Sequence, residues 1–200
     1  MKLPFLFVAL VYSLFGFSQG NKDIFIVKHD TSWPCQSKYP NVVTTMGGDT
    51  VLRLDSSKYY HCFTDTFSNF AVVGITHKHG WWAIDIHEHL LFEVFNAGYT
   101  ELDPDRVKDG MIRILDKNGK VGFANNIGHV VIKPQFDDAS VFYKGRALVY
   151  IRCEKISIDD EHYHEGCTEN GYIDKLGVVK WLPNYSNAQM RKKLKWPDGL

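Results

Sequence analysis

The sequence predicts an all-β fold of tandem antiparallel hairpins and meanders, arranged as a curved sheet or a solenoid-like array, with one short C-terminal helix. Three observations predict this fold. Short alternating runs of apolar and polar residues recur along the chain, residues typical of turns separate these runs, and several segments resemble one another. A composition with 13 Phe, 10 Tyr and 16 Gly also favours strands over helices.

The first 18 residues have the pattern of a signal peptide. Lys2 supplies the positive charge, an apolar stretch runs from Leu3 to Phe17, and the predicted cut lies before Gln19. The apolar stretch is too short to span a bilayer, so no membrane span is expected after cleavage. We therefore expect an exported protein, located in the periplasm, at the cell surface or outside the cell.

Residues 19–69 are predicted to form an N-terminal β region, which is read as a degenerate repeat or a cap. Its candidate strands lie at 23–28, 42–45, 50–54 and 59–63. Residues 70–183 are predicted to be a repeat region, with candidate strands at 70–75, 81–86, 90–95, 111–115, 120–124 and 129–133. Pro134 is expected to end the last of these strands, and Asp103–Val107 is expected to form one helical turn.

The segment Asp116–Gly119 is the clearest hairpin signal in the chain. Its Asn118-Gly119 pair predicts a type I′ turn, because both central residues of that turn need positive φ.

Self-comparison of the chain reveals three related segments. Gly122-Phe123-Ala124-Asn125 aligns with Gly171-Tyr172-Ile173-Asp174 at an offset of 49 and with Trp82-Ala83-Ile84-Asp85 at an offset of 40. In addition, residues 110–114 align with residues 145–149. The last copy ends after one hairpin, and such a truncated copy is typical of a cap.

The segment from Asn118 to Val149 resembles the WG repeat (KWG-type) proteins of bacteria. A unit of that family opens with Asn-Gly-Lys-Trp-Gly-Tyr, followed by Gly, an apolar strand, Phe-Asp-x-Ala and Gly-x-Ala-x-Val. This chain carries Asn118-Gly119-Lys120-Val121-Gly122-Phe123, Gly128, Phe136-Asp137, Ala139, Gly145, Ala147 and Val149 in that order. The family's Trp is replaced by Val121. A single three-stranded unit cannot bury its apolar face alone, so neighbouring units must stack or the sheet must curl around a common core.

The tail, residues 184–200, is predicted to contain a short basic helix. Ser186 and Gln189 fit a capping box, and Met190 and Leu194 share one helix face.

Four cysteines remain after the predicted cut, and export would permit two disulfides. The pairings Cys35–Cys62 and Cys153–Cys167 are favoured because each closes a local loop. Free buried thiols are the alternative. With the second bond, the 153–167 loop is expected to project from the sheet as a candidate contact surface.

The densest set of candidate metal ligands comprises His77, His79, His87 and His89, with Asp85 nearby. Residues at i and i+2 share a strand face, so each His-x-His pair could bind one zinc ion, and the pairs could meet across a hairpin. An exposed polar face explains the same pattern. We therefore expect no cofactor and keep zinc binding as an alternative.

Trp81 and Trp82 are adjacent in a candidate strand and should point to opposite faces. One of them could therefore stack on a sugar or contact a partner. Packing between neighbouring units is the favoured explanation, because the apolar faces must be covered.

Taken together, the sequence predicts an exported bacterial repeat protein that acts as a protein-interaction or envelope scaffold without catalysis. Catalytic motifs such as Gly-x-Ser-x-Gly and His-Glu-x-x-His do not occur. The 23 basic and 23 acidic side chains cancel, which argues against a nucleic-acid partner. Metal binding through the histidines and glycan binding through an exposed Trp are the alternatives.

Overall fold

The structure is a computed structural model that describes residues 23–29, 41–97, 103–157 and 163–197. The predicted signal peptide and Cys35 lie outside the described residues. No helix in these ranges is long and apolar enough to cross a membrane.

The described residues form fifteen strands and one helix, so the predicted β-rich fold is confirmed. The elements are β1 (Phe25–His29), β2 (Asn41–Thr45), β3 (Thr50–Leu54), β4 (Tyr59–Cys62), β5 (Thr66–Phe67), β6 (Ala71–Ile75), β7 (Trp81–Ile84), β8 (Leu90–Val94), β9 (Met111–Leu115), β10 (Val121–Asn125), β11 (Val130–Phe136), β12 (Asp138–Ala139), β13 (Arg146–Ser157), β14 (Tyr163–Asp174), β15 (Val179–Trp181) and α1 (Asn187–Leu194).

The strands form three antiparallel sheets. Their orders are β3-β2-β1-β5, β11-β10-β9-β8-β7-β6-β4 and β12-β13-β14-β15. Four three-stranded meanders account for most of them, namely β1–β2–β3, β6–β7–β8, β9–β10–β11 and β13–β14–β15. We call these the first to fourth meanders. The second and third share one sheet because β8 pairs with β9.

The turn between the second and third strands has matching hydrogen bonds in every meander. A polar residue opens the turn; its carbonyl oxygen accepts from the backbone N–H three residues later, and its side-chain oxygen accepts from the N–H four residues later. The fourth residue has positive φ. The four turns are Thr45–Asp49, Asp85–His89, Asn125–His129 and Asp174–Val178. Polar side chains thus satisfy backbone donors that the tight turn leaves unpaired.

A second hydrogen bond recurs where the chain enters a meander. The backbone N–H in the first strand donates to a side-chain oxygen eight residues earlier: Val72 to Thr64 Oγ1 at 2.9 Å, Arg113 to Asp105 Oδ2 at 3.0 Å, and Leu148 to Ser140 Oγ at 2.9 Å. These bonds fix each connecting segment against the strand that follows it.

The hydrophobic core is divided into clusters that lie between consecutive meanders. Val27 and Val43 of the first meander pack with Val73 and Ile84 of the second. The opposite face of the second meander packs against the third, in a cluster that includes Val72, Trp81, Ala83, Ile112 and Ile114. The third packs against the fourth, in a cluster that includes Val121, Phe123, Ala147, Val149 and Ile173. Alternation along the strands therefore buries both faces of the second and third meanders.

Helix α1 covers the outer face of the fourth meander, and its prediction is confirmed. Leu148 and Tyr150 on that face form a cluster with Met190 and Trp196. Ser186 caps the helix, since its side chain accepts from the Gln189 N–H and the Gln189 side chain accepts from the Ser186 N–H.

The predicted stop at Pro134 is wrong, because β11 continues to Phe136. This strand is the edge of its sheet, where a residue without an N–H is tolerated. The register with β10 also shifts here, between Val121 and Phe123.

The predicted type I′ turn at Asp116 is also wrong. Gly119 has a φ of 76°, but Asn118 is not among the residues with positive φ. The Asp116 carboxylate instead accepts from the backbone N–H groups of Asn118 and Lys120, each at 2.9 Å. This side chain selects a turn in which only the glycine needs positive φ.

The predicted helical turn at Asp103–Val107 does not form. Pro104 forms a β-bridge with Asn96, and the N–H of Asp105 donates to the carbonyl of Phe95 at 2.8 Å. Pairing with the preceding strand satisfies this backbone, which overrides the local helical signal.

The predicted disulfide between Cys153 and Cys167 is present, and the two cysteines are paired directly across β13 and β14. The other predicted bond joins Cys62 to Cys35, which lies outside the described residues. Cys62 is a free thiol, 1% exposed, and it belongs to the cluster between the first two meanders. Burial raises its pKa to about 11, so the thiol stays protonated.

Candidate functional site

The segments that connect the meanders form two neighbouring grooves on the molecule. The connection into the second meander (residues 63–70) and the connection into the third (residues 95–97 and 103–110) enclose a groove of about 620 Å³. The connection into the third meander, the connection into the fourth (residues 137–145) and helix α1 enclose another groove of about 560 Å³. Both volumes fall within the usual range of ligand sites.

The first of these, called the apolar groove below, is lined mainly by hydrophobic side chains. They are Phe63, Phe67, Phe70, Val72, Val107 and Ile112. Val107 is 41% exposed, so part of this apolar surface is open to solvent. Polar residues, among them Thr64, Asp65, Asn69 and Asn126, line the rest of this groove. The Thr64 hydroxyl accepts the Val72 N–H, and the Asn69 side-chain amide donates to the Asn126 carbonyl at 2.9 Å.

The second, called the charged groove below, is lined by ionisable side chains. They are Asp103, Asp105, Arg106, Lys108, Arg113, Asp138 and Arg191. Tyr150 and Asn187 complete the wall, where the Tyr150 hydroxyl donates to Asn187 Oδ1 at 2.9 Å. Burial raises the pKa of Tyr150 to about 12, so it remains a neutral donor.

An ion pair between Asp105 and Arg113 holds the charged groove together. Arg113 Nε donates to Asp105 Oδ2 at 3.0 Å and Nη2 donates to Oδ1 at 3.1 Å, which is a bidentate arrangement. The third donor, Nη1, reaches the carbonyl of Ala139 at 2.9 Å. The side chains are only 4% and 13% exposed, so the pair links β9 to β12 from within the wall.

Asp105 and Arg106 line both grooves, which makes them the boundary between the two. The Arg106 guanidinium lies 4.8 Å from the centre of the Phe63 ring. This cation–π contact joins the connection into the third meander to the connection into the second.

The structure does not bring the four candidate histidine ligands together. His77 and His79 lie in the β6–β7 turn, whereas His87 and His89 lie in the β7–β8 turn. One turn precedes β7 and the other follows it, so the two turns lie at opposite ends of this strand. Within the described ranges, no group of three or more His, Cys, Asp or Glu side chains could hold a metal ion.

His89 has a local role instead. Its ring Nδ1 lies 2.9 Å from Asp85 Oδ2, while Asp85 Oδ1 accepts the backbone N–H groups of His87 and His89. Slight burial opposes ionisation of Asp85, but the hydrogen bonds from His89 and His87 outweigh it and lower the pKa. The Asp85–His89 segment is one of the four matching turns.

The two tryptophans lie on opposite sides of β7. Trp81 is 6% exposed and packs into the cluster between the second and third meanders, where its ring lies 5.8 Å from Phe63. Trp82 packs against the other cluster, and its Nε1 donates to the His79 carbonyl at 2.9 Å. Lys78 Nζ sits 3.6 Å from the Trp82 ring centre and covers one ring face. Trp81 is therefore engaged by core packing, and Trp82 by packing, a hydrogen bond and a cation–π contact.

Sequence reasoning missed the groove residues because the stretch Asp103–Val107 read as a helical turn. The available signal was the spacing of eight residues between Asp105 and Arg113, which Thr64 and Val72 share with them. A hydroxyl or carboxylate eight residues before the first strand of a meander predicts a hydrogen bond between the two. That bond would have placed the connecting segment against the strand.

These features define an antiparallel β-meander protein with grooves along its connecting segments. Residues 122–152 match the family model described as WG containing repeat, so this segment is a WG repeat, as its resemblance predicted. The matched segment runs from β10 to β13 and therefore crosses from one sheet to the next. Comparison with the curated proteins finds no match.

Proposed function

We propose that this chain is an exported, non-catalytic tandem β-repeat protein whose four meanders are successive units of one array, and that it works as a protein-interaction scaffold. The stacking of the four meanders carries the proposal. Each interface between them has its own core cluster, and the same turn recurs in each. Stacked repeats generally present an extended surface to a partner.

The repeat spacing supports this array beyond the WG segment itself. The turn-opening residues Thr45, Asp85 and Asn125 are spaced 40 residues apart, and Asp174 follows after 49. On this reading, the N-terminal β region supplies the first unit. The extra residues of the fourth unit lie in the long hairpin of β13 and β14, which the Cys153–Cys167 bond crosses.

Export is supported by the signal-peptide pattern of residues 1–18 and by that disulfide, since disulfides persist in oxidising compartments. The interaction role is supported by the grooves, which lie along the connecting segments of the array. The four histidines are separated and both tryptophans pack locally, so no observation favours the metal or glycan alternative.

The test is made in a cell that produces the chain naturally. The cell is fractionated, the N-terminus of the chain is sequenced, and intact cells are treated with an amine-reactive crosslinker. We expect the chain in an exported fraction, starting at Gln19, and a discrete crosslinked species that contains a second protein. Purified chain treated alone controls for self-association. Retention inside the cell with Met1 in place, or export without any crosslinked partner, contradicts the proposal.

A further inference from the structure

The apolar and charged grooves are neighbours that share part of their lining across three connecting segments. Each groove lies between two successive connections, and the connection into the third meander contributes Asp105 and Arg106 to both. A ligand long enough to pass over this shared boundary would contact both grooves. Such a path follows the direction in which the meanders stack.

The apolar groove determines what one end of the ligand must be. Phe63 and Phe67 line it from one connection and Val107 from the next. A ligand group that fills this groove removes apolar surface from water, which stabilises the complex. An aliphatic or aromatic side chain meets this requirement.

The charged groove determines the other end. Asp105 and Arg113 neutralise each other through a bidentate pair. Three cationic side chains, Arg106, Lys108 and Arg191, then line the groove beside two anionic ones, Asp103 and Asp138. The excess of positive charge favours a ligand that carries carboxylates at this end.

We propose that the two grooves together bind an extended peptide segment of a partner protein, with apolar side chains in the apolar groove followed by acidic side chains in the charged groove. This inference rests on the proposed scaffold function and specifies where the partner binds. An extended backbone suits the site because it covers the greatest distance per residue, so a short segment can reach both grooves. Successive parts of the peptide then contact the apolar groove and the charged groove in turn.

Site-specific photocrosslinking tests the proposal in cells that make the chain naturally. p-Benzoylphenylalanine replaces one exposed residue at a time: Val107 in the apolar groove, Lys108 in the charged groove, and Lys117 and Leu176 outside both. Leu176 is 88% exposed and matches Val107 as an exposed aliphatic residue, while Lys117 matches Lys108. Mass spectrometry then identifies which residues of the partner are attached.

We expect positions 107 and 108 to attach to the same short segment of one protein, with an apolar residue at 107 and an acidic residue within a few positions at 108. Lys108→Glu, combined with the probe at 107, should reduce the yield about tenfold, the equivalent of about 1.4 kcal/mol. Lys117→Glu, combined with the same probe, should leave the yield unchanged.

Three results overturn the groove proposal. Attachment to a partner at 117 or 176 but not at 107 or 108 leaves the scaffold function intact and moves its site elsewhere. Attachment at 107 and 108 to a basic or helical segment, or to a glycan, contradicts the stated ligand chemistry. No attachment at any of the four positions, together with no chemical crosslink in the earlier experiment, contradicts both proposals.

Discussion

Gly122 shows how a single backbone contact explains the glycine in the WG repeat. Its φ is not among the positive values, so conformational freedom is not the reason for glycine here. A Cβ at this position would lie 2.5 Å from both the Ile132 carbonyl oxygen and Pro134 N, which are backbone atoms of the adjacent β11. Gly171 in the fourth meander has the same problem, since its Cβ would lie 2.7 Å from the Lys180 carbonyl oxygen.

Gly122→Ala should therefore destabilise the protein by about 3 kcal/mol, the upper end of the usual cost of overpacking. Gly119→Ala is the matched control. Gly119 has nothing within 4 Å of its Cβ position but has a φ of 76°, so only backbone strain of about 1 kcal/mol applies. Urea denaturation of both variants gives the comparison. Equal losses for the two variants would show that β11 moves aside at little cost.

Asp105 occupies a position that is held by a hydroxyl residue, Thr64 or Ser140, at the entry to the second and fourth meanders. Ser140 accepts the Leu148 N–H as Asp105 accepts that of Arg113. Arg113→Leu should destabilise the protein by about 3 kcal/mol or more, because it leaves the 4% exposed Asp105 side chain as an unpaired buried charge. Asp105→Ser in the same chain should recover much of this loss, because the pair then becomes the Ser–Leu combination of the fourth meander.

Chemical denaturation of both single variants and of the double variant measures this coupling. If the double variant loses the sum of the two single losses, the ion pair does not contribute as a unit and this account of the groove wall fails.

At the scale of elements, the outer part of the long hairpin of β13 and β14 is expected to depend on the Cys153–Cys167 disulfide. Beyond Cys153 and Cys167, neither strand has a neighbour within the described part of the chain: β12 pairs only with Val149 and Tyr150, and β15 pairs only with residues 171–173. A two-stranded ribbon of this kind is marginally stable in water.

Reduction of Cys153–Cys167 should cost about 3 kcal/mol for a loop of about 15 residues. Amide exchange should accelerate in the outer parts of β13 and β14, while Ala147 and Val149 stay protected by the core cluster that contains them. Hydrogen-exchange mass spectrometry with and without a dithiol reductant measures both effects. Cys62→Ala is the control for thiol chemistry, and it should respond to the reductant as the unchanged chain does. Unaltered exchange in the outer ribbon would show that the disulfide adds no order.

The strands were largely predictable from sequence because short apolar runs, such as residues 71–75 and 121–125, place successive side chains in core clusters on opposite faces of the strand. The errors arise where a distant partner decides the local structure. Pro134 lies within β11 because that strand is at a sheet edge. The segment around Asp105 does not form the predicted helical turn, and Asp105 pairs with Arg113 instead. The separation of the histidine pairs followed from strand direction, which the spacing of His-x-His does not contain.

For the molecule as a whole, the division of the core into clusters predicts how destabilisation spreads. Each cluster joins two neighbouring elements of the stack, either two meanders or the fourth meander and α1. A defect in one element should therefore affect its neighbour more than distant elements. Met190 provides a test at one end, since it is 0% exposed and lies in the cluster that joins α1 to the fourth meander.

Met190→Ala should cost about 2 to 5 kcal/mol locally, the usual range for truncating a buried methionine. Exchange should accelerate in α1 and on the outer face of the fourth meander at Leu148 and Tyr150, while Val43 and Val73 in the first cluster keep their protection. Lys192→Ala on the exposed side of the same helix is the matched control and should change neither region. Hydrogen-exchange mass spectrometry resolves the two ends in a single experiment. An equal rise in exchange at both ends would mean that the four meanders unfold as one cooperative unit, and that their separate clusters do not confine the effect of a local defect.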